Sequence, residues 1–148
     1  MKANKVTSKD LMVGDFVMLH YDINYKTGEP LYTNVRITSI NEDGTINVSM
    51  HDGDSWDADL INPIPITKEL LEKNGFEREN LITSYNHYTG IDNRVSLNDD
   101  FYYINSRDVW SVHVDSEDYC TIANCELTYL HELQHLLKLC NIDFEFVV

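Results

Sequence analysis

INPIPIT, residues Ile61–Thr67, separates two parts of the chain that differ in their pattern of apolar residues. Pro63 and Pro65 donate no backbone hydrogen bond, and each holds the residue before it in an extended conformation. Thr67 is a favoured N-cap residue, and Glu69 and the leucines that follow fit the first turns of a helix. The segment therefore predicts the end of one structural unit and the start of a helix.

The residues before this segment predict an all-β unit. Apolar side chains that recur at short intervals indicate strands at Phe16–Tyr21, Val35–Ile40 and Ile46–Val48. The intervening NEDG, Asn41–Gly44, suits a hairpin connection because Asn, Asp and Gly tolerate positive φ. A fourth strand is predicted from Trp56 to Ile61. Short strands with frequent turns favour a small, strongly bent barrel of SH3-like type.

The residues after the segment predict a short helix and then a second sheet. The helix runs from Thr67 to Asn74, because Gly75 occupies the position at which glycine commonly ends a helix. From Leu81 to Ile122 we predict three or four antiparallel strands, with turns at Gly90, at LNDD and at SED. Trp110, Val112 and Val114 are two residues apart, so they share one face of a strand.

The C-terminal residues predict a second helix. Asn124 is a good N-cap residue, Lys138 lies near the predicted end, and Asn141 can close the helix. IDFEFVV then predicts a terminal strand that rejoins the sheet. The fold class is α+β: an SH3-like β unit over 1–62, a Pro-flanked helical connector over 63–80, and an antiparallel sheet with the C-terminal helix over 81–148. These segments form either separate domains or one continuous domain.

The charge of the chain is strongly acidic and unevenly distributed. Eleven Lys and Arg against 25 Asp and Glu give a net charge of −14 in 148 residues, while 43% apolar residues indicate a folded protein. No Lys or Arg occurs in 37–67 or in 108–137. Phosphate backbones would be repelled there, so direct nucleic-acid binding is not expected. Two interpretations stay open: a solvated surface, or an acidic decoy that mimics nucleic acid.

The sequence gives no sign of export or of membrane insertion. No run of 18 apolar residues is present, and the N-terminal residues contain no apolar core of a signal peptide. Three cysteines, Cys120, Cys125 and Cys140, are an odd number, which fits reduced, structural thiols. We therefore expect a cytoplasmic protein that has no contact with a membrane.

HELQH, residues His131–His135, is the motif with the clearest chemical meaning. Two histidines one helical turn apart can bind zinc while the glutamate serves as general base. His131 and His135 would be the ligands and Glu132 the base of a zinc-dependent hydrolase. At about 100° per residue, however, both histidines point away from the leucine stripe and toward water, beside Lys138. The third histidine position of the extended motif holds Asn141.

Two further metal patterns are incomplete. Cys120, Cys125, His131 and His135 resemble the ligands of a zinc finger, but only five residues separate the two halves, where a finger has about twelve. Asp52–Asp59 begins like a calcium loop and fails after two ligand positions. We therefore predict no catalytic residue, no cofactor and no metal ligand.

Two segments, INPIPITKELLEKNGFE (Ile61–Glu77) and YLHELQHLLKL (Tyr129–Leu139), resemble a family of small uncharacterised bacteroidete proteins that are encoded near prophage or mobile-element genes. LMVGDFV near the N-terminus is similar to their opening. The resemblance implies no enzymatic activity. It also implies that Glu132 and His135 replace uncharged amides, so that the zinc motif is an accident of two substitutions. The prediction is a non-enzymatic accessory or protein-interaction protein of a phage or mobile element.

Overall fold

The computed structural model describes residues 9–50, 53–79, 87–99, 109–118 and 120–148. Within these ranges the chain is a mixed α/β protein with two antiparallel five-stranded sheets, two α-helices and one 3-10 turn. The chain divides into two compact units, Met1–Ile64 and Pro65–Val148. No helix in the described residues combines the length and the apolar character needed to cross a membrane.

The first unit is a sheet in the strand order β4-β3-β2-β1-β5. Within the described part of the unit, β4 and β5 are the two ends of the sheet and do not pair, so the sheet is open. A 3-10 turn, η1, lies between β4 and β5. The strands are β1 (Phe16–Ile23), β2 (Pro30–Ile40), β3 (Ile46–Val48), β4 (Ser55–Trp56) and β5 (Ile61–Pro63), and η1 is Ala58–Leu60.

The core of the first unit follows the two-residue period of its strands. Val17 and Leu19 of β1 and Val35 and Ile37 of β2 are buried, while the residues between them are not. Leu11, Ile46, Val48 and Ile61 complete this cluster. The predicted strands β1 to β3 are thus present in the expected segments.

The predicted strand from Trp56 to Ile61 is wrong, because this segment holds two short strands separated by η1. The Asp57 carboxylate accepts a hydrogen bond from the N–H of Asp59. Such a local side-chain bond offers the backbone an alternative to a sheet ladder. It starts the turn that interrupts the apolar and polar alternation.

The second unit is a sheet whose strands are neighbours in chain order, β10-β9-β8-β7-β6. Tyr88, Leu97, Trp110, Val112 and Val114 line its buried face. The strands are β6 (Glu77–Glu79), β7 (His87–Gly90), β8 (Val95–Asp99), β9 (Trp110–Asp115) and β10 (Thr121–Leu127), and the helices are α1 (Lys68–Lys73) and α2 (Leu130–Leu139). The predicted antiparallel strands and the shared face of β9 are confirmed.

Helix α1 forms as its sequence predicts. The Thr67 hydroxyl oxygen accepts a hydrogen bond from the N–H of Leu70 at 3.2 Å, which caps the first turn. Gly75 follows the helix with φ +78°, a backbone conformation that glycine adopts without strain. The turn predicted at Gly90 follows that residue directly, at Ile91–Arg94. The turn predicted at LNDD is wrong for Leu97, Asn98 and Asp99, which lie within β8, and Asp100 lies outside the described residues.

The predicted N-terminus of the last helix is also wrong. Asn124 lies in the middle of β10, opposite His113 of β9, and α2 begins six residues later at Leu130. The preceding β-branched Thr121 and Ile122 favour a strand. Pairing with β9 outweighs the capping preference of a single asparagine.

The last seven residues, 142–148, form no strand, although IDFEFVV predicts one. Ile142 and Phe146 are buried by tertiary packing. The Asn74 side chain holds this tail: its Nδ2 donates to the Val147 carbonyl at 2.9 Å, and its Oδ1 accepts from the Val147 N–H at 2.7 Å. The side-chain amide thus replaces the backbone partner that a neighbouring strand would supply.

Candidate functional site

Glu132, the glutamate of HELQH, caps helix α2. Its Oε2 accepts hydrogen bonds from the backbone N–H groups of Thr128, at 2.8 Å, and Tyr129, at 2.9 Å. A glutamate at the third helical position that reaches back to the N-cap satisfies donors that the helix itself leaves open. The carboxylate that a zinc hydrolase would use as general base is therefore engaged in holding the start of the helix.

His131 lies inside the protein, and the prediction that it points to water is wrong. It is 4% exposed, whereas His135 is half-buried. The His131 ring stacks on Tyr129 with 6.0 Å between centroids and meets the His135 ring edge-on at 5.7 Å. An angular projection places residues only relative to the leucine stripe. It does not include tertiary contacts such as the stacking of the Tyr129 ring on His131.

The leucine side of α2 is as predicted. Leu130, Leu133 and Leu137 are buried, and Leu136 and Cys140 are half-buried. Leu139, outside the stripe, is 83% exposed. The helix is thus packed through its leucines and also buries the first histidine of the motif.

The residues of the two incomplete metal patterns are not predicted to be ligands. No group of three or more His, Cys, Asp and Glu side chains within the described ranges is arranged to hold a metal ion. Cys120 is exposed before β10, and Cys125 is half-buried within it. Burial raises the pKa of the Cys125 thiol, and the nearby Cys140 and Glu132 raise it further.

The calcium-like segment has a structural use in its described part. Asp57 starts the turn η1 through its bond to Asp59, as described above. Asp52, the first residue of the predicted loop, lies outside the described residues.

The capping role of Glu132 leads to a prediction for stability. Glu132→Ala should lower the free energy of unfolding by about 1 kcal/mol, because two backbone donors at the helix start lose their acceptor. Urea titration followed by circular dichroism measures this change. Asp143→Ala, which removes an exposed acid from the same unit, is the matched control and should have little effect. Equal stability of both variants would contradict the capping role.

Sequence reasoning missed a row of polar side chains on the outer face of the second sheet. Nδ1 of His87 bonds Oδ1 of Asn98, and its Nε2 lies 3.3 Å from Oγ1 of Thr89 and 3.5 Å from Oε2 of Glu79. The Thr89 hydroxyl donates its proton to Glu79 at 3.1 Å. Because that proton faces a carboxylate, the imidazole does not activate the hydroxyl as a nucleophile. The cluster ties β6, β7 and β8 together.

A second cluster on this face surrounds His113. Its Nε2 lies 2.9 Å from Oδ1 of Asp115 and 3.2 Å from Oγ1 of Thr121. A catalytic imidazole uses one nitrogen for the acid and the other for the nucleophile. Here one nitrogen contacts both groups, so the arrangement links β9 to β10 and does not form a catalytic triad. Alternation with the buried residues of WSVHVD is the sequence signal that places His113 on the outer face.

Among the described residues, the exposed large aromatic side chains, Tyr21, Tyr25 and Tyr32, all lie on the β1–β2 hairpin of the first unit, together with the exposed Ile23. Tyr25 is 93% exposed. β5 pairs with β1 only at Val17–Leu19, and β3 pairs with β2 only at Ile37–Ile40. Among the described residues of this unit, no further strand pairs with the outer half of the hairpin, residues 20–34.

The hairpin is held by local bonds. The N–H of Gly28 donates to the Asn24 carbonyl at 2.7 Å, and Asn24 donates its own N–H to the Glu29 carbonyl at 2.8 Å. The His20 and Tyr32 rings lie 5.5 Å apart across the strands. The exposed aromatic residues are thus presented on an ordered turn.

Comparison of the chain with protein-family models, with curated proteins and with solved structures found no match.

Proposed function

We propose that this protein is a non-enzymatic protein-interaction protein, and that it serves as an accessory protein of a phage or mobile element. The observation that carries the proposal is the aromatic hairpin of the first unit, in which Tyr21, Ile23, Tyr25 and Tyr32 are exposed together. The mobile-element setting rests on the resemblance of Ile61–Glu77 and Tyr129–Leu139 to proteins encoded near such genes.

We further propose that the first unit is SH3-like. Two features support this assignment: the strand order β4-β3-β2-β1-β5, and the 3-10 turn η1 that connects β4 to β5 in the chain. The outer half of the β1–β2 hairpin, residues 20–34, extends beyond the parts of β1 and β2 that pair with β5 and β3. A partner can contact the side chains exposed there without disturbing the core.

Exposed tyrosines suit a protein partner. Tyrosine provides a large, rigid surface with a polar tip, and it is enriched among the residues that dominate binding energy at interfaces. Tyr21, Ile23, Tyr25 and Tyr32 are close in sequence on one short hairpin, and exposed apolar side chains that form a patch mark sites of protein interaction. The role of the hairpin is therefore contact with another protein.

The charge of the first unit defines the partner more closely. Residues 1–64 contain ten Asp and Glu against five Lys and Arg, and none of the Lys and Arg lies in residues 37–64. Opposite charge speeds association and excludes acidic competitors. The partner surface that fits this unit is apolar at its centre and rich in Lys and Arg at its rim.

The hydrolase interpretation lacks support in the described geometry. Glu132 is engaged by two backbone N–H groups, and His131 is buried against Tyr129. The motif residues are explained by capping and packing. The proposal therefore assigns HELQH to the structure of α2.

Affinity capture from the host with matched variants tests this proposal. Tyr25→Ala combined with Tyr32→Ala should weaken binding of the captured protein by about tenfold or more, since two interface tyrosines contribute at least about 1.4 kcal/mol. Met50→Ala removes an exposed apolar side chain of the same unit outside the hairpin and should leave binding unchanged. The affinity of the captured protein for the wild-type protein and for each variant is measured by titration calorimetry with purified proteins. Equal binding by all variants would contradict the hairpin role. Displacement of this protein from its partner by DNA is the result expected of an acidic decoy, and it would contradict the hairpin role as well.

A further inference from the structure

The two edges of the second sheet differ in how they are protected. The β6 edge consists of Glu77, Arg78 and Glu79, three exposed charged residues. Short, charged edge strands are a common protection against pairing with other chains. The β10 edge, TIANCEL, has seven residues, of which only Glu126 is charged, and it contains no Lys and no Pro. β10 therefore lacks the protection that β6 has.

The open part of the β10 edge is five residues long. A register shift between Thr121 and Ala123 makes Ile122 an extra residue, 47% exposed, and regular pairing with β9 then continues to Leu127. Beyond it, the Thr128 carbonyl accepts a hydrogen bond from Ile66 at 3.0 Å. In an antiparallel ladder alternate residues direct their N–H and C=O groups away from the neighbouring strand. Within the described ranges, no strand pairs with this side of Ala123–Leu127.

Five residues are enough for a new strand, because strands average about five to six residues. Strand addition to an open edge is a known mode of peptide recognition, in which backbone bonds give affinity and alternate side chains give specificity. The edge therefore has the length and the open backbone groups that this mode needs.

The charges around β10 indicate the chemistry of the added strand. No Lys or Arg occurs between Arg107 and Lys138. Glu126 lies on the outer face opposite Ser111, and Asp115 lies on the same face opposite Thr121. Glu117 and Asp118 are exposed in the turn that precedes the strand. A strand beside β10 gains from Lys or Arg on its outer face, whereas a second copy of this chain would bring more acids to the same place.

The other face of the edge is apolar. Cys125 and Leu127 are half-buried and lie opposite the buried Val112 and Trp110. Side chains of a strand alternate between the two faces. A fitting segment therefore alternates Lys or Arg with apolar residues.

We propose that the β10 edge binds an extended basic segment of a partner protein, which adds to the sheet as a sixth strand. The segment places Lys or Arg beside Glu126 and apolar side chains beside Cys125 and Leu127. This inference uses residues of the second unit alone and does not depend on the aromatic hairpin. A partner that contacts both units gains affinity from the second contact.

NMR titration with synthetic peptides tests the proposal. The first probe is a capped peptide of alternating Lys and Val. The second has the same sequence with N-methyl groups on alternate backbone nitrogens. These groups leave the charge of the peptide unchanged and remove the N–H donors along one edge of the peptide strand. The first should shift the amide resonances of Ala123–Leu127 and should protect from exchange the alternate amides of this segment that face away from β9. The second should bind about tenfold more weakly. Equal binding of both peptides would show simple charge attraction and overturn the proposal.

Matched substitutions on the two edges complete the test. Glu126→Lys should weaken binding of the unmodified peptide several-fold, whereas Glu77→Lys on β6 changes the net charge equally and should have a much smaller effect. Equal weakening by both variants contradicts a site at β10. Sedimentation analysis of the wild-type protein gives a further outcome. A dimer that dissociates when the peptide is added would assign the edge to a second copy of this chain and overturn the proposal. Tyr25→Ala should leave peptide binding unchanged, so that failure of this proposal is distinguishable from failure of the hairpin proposal.

Discussion

Leu133→Ala should lower the free energy of unfolding by about 2–5 kcal/mol, whereas Leu139→Ala on the same helix should change it by less than about 0.5 kcal/mol. Leu133 is 0% exposed and Leu139 is 83% exposed. Truncating the first removes buried methyl groups and leaves a cavity, while truncating the second removes atoms that contact water. The two substitutions are chemically identical, so their difference reports only the orientation of α2.

Urea titrations of both variants measure this difference at constant m-value. A small effect of Leu133→Ala, or a large effect of Leu139→Ala, would show that the helix packs through another face. The assignment of HELQH to a structural helix would then be wrong.

Gly90→Ala should destabilise the second unit by about 1–3 kcal/mol. A Cβ at this position would lie 2.6–2.9 Å from three ring atoms of Phe76. Phe76 is buried, and its ring meets that of Phe144 edge-on at 6.3 Å, so it has little room to move. The expected cost arises from close packing between Gly90 at the end of β7 and Phe76, which lies three residues after α1.

A double-mutant cycle isolates this contact. Phe76→Leu shortens the side chain that the new methyl group meets, so the two substitutions together should cost less than the sum of their separate costs by about 1 kcal/mol. Thermal and urea unfolding of the four proteins give the coupling. Strict additivity would mean that Gly90 does not contact Phe76 in the folded protein.

The parts of the fold that sequence predicts correctly depend on local chemistry. Val35 and Ile37 alternate with the polar Asn34, Arg36 and Thr38, and this period of two is a property of any half-buried strand. Thr67 and Gly75 bracket α1 through bonds and dihedral angles that involve only neighbouring residues. Such signals do not need knowledge of the rest of the chain.

The incorrect predictions involve partners that are distant in sequence. Asn124 is a good N-cap in isolation, but its backbone pairs with His113. The tail after α2 has the alternation of a strand, yet Val147 bonds to the side chain of Asn74. A one-dimensional pattern does not contain these contacts, so it could not choose between the competing structures.

In the candidate site, too, some features depend on neighbouring residues and others on tertiary contacts. The spacing of the leucines in α2 predicts its buried side from sequence alone, whereas Glu132 has no capping-box signal because Tyr129 stands where Ser or Thr is usual. The burial of His131 could not be predicted, because it depends on the Tyr129 ring that stacks on it. The exposure of Tyr25 is likewise a tertiary property, since tyrosine is often part of a core.

Zinc content is the most direct test of the central claim, that HELQH is structural and that the protein works through its surfaces. Purified wild-type protein and His135→Ala are equilibrated with zinc, dialysed against metal-free buffer and analysed by mass spectrometry. We expect far less than one zinc per chain in both proteins. One zinc per wild-type chain, lost in His135→Ala, would contradict the account and restore the hydrolase interpretation.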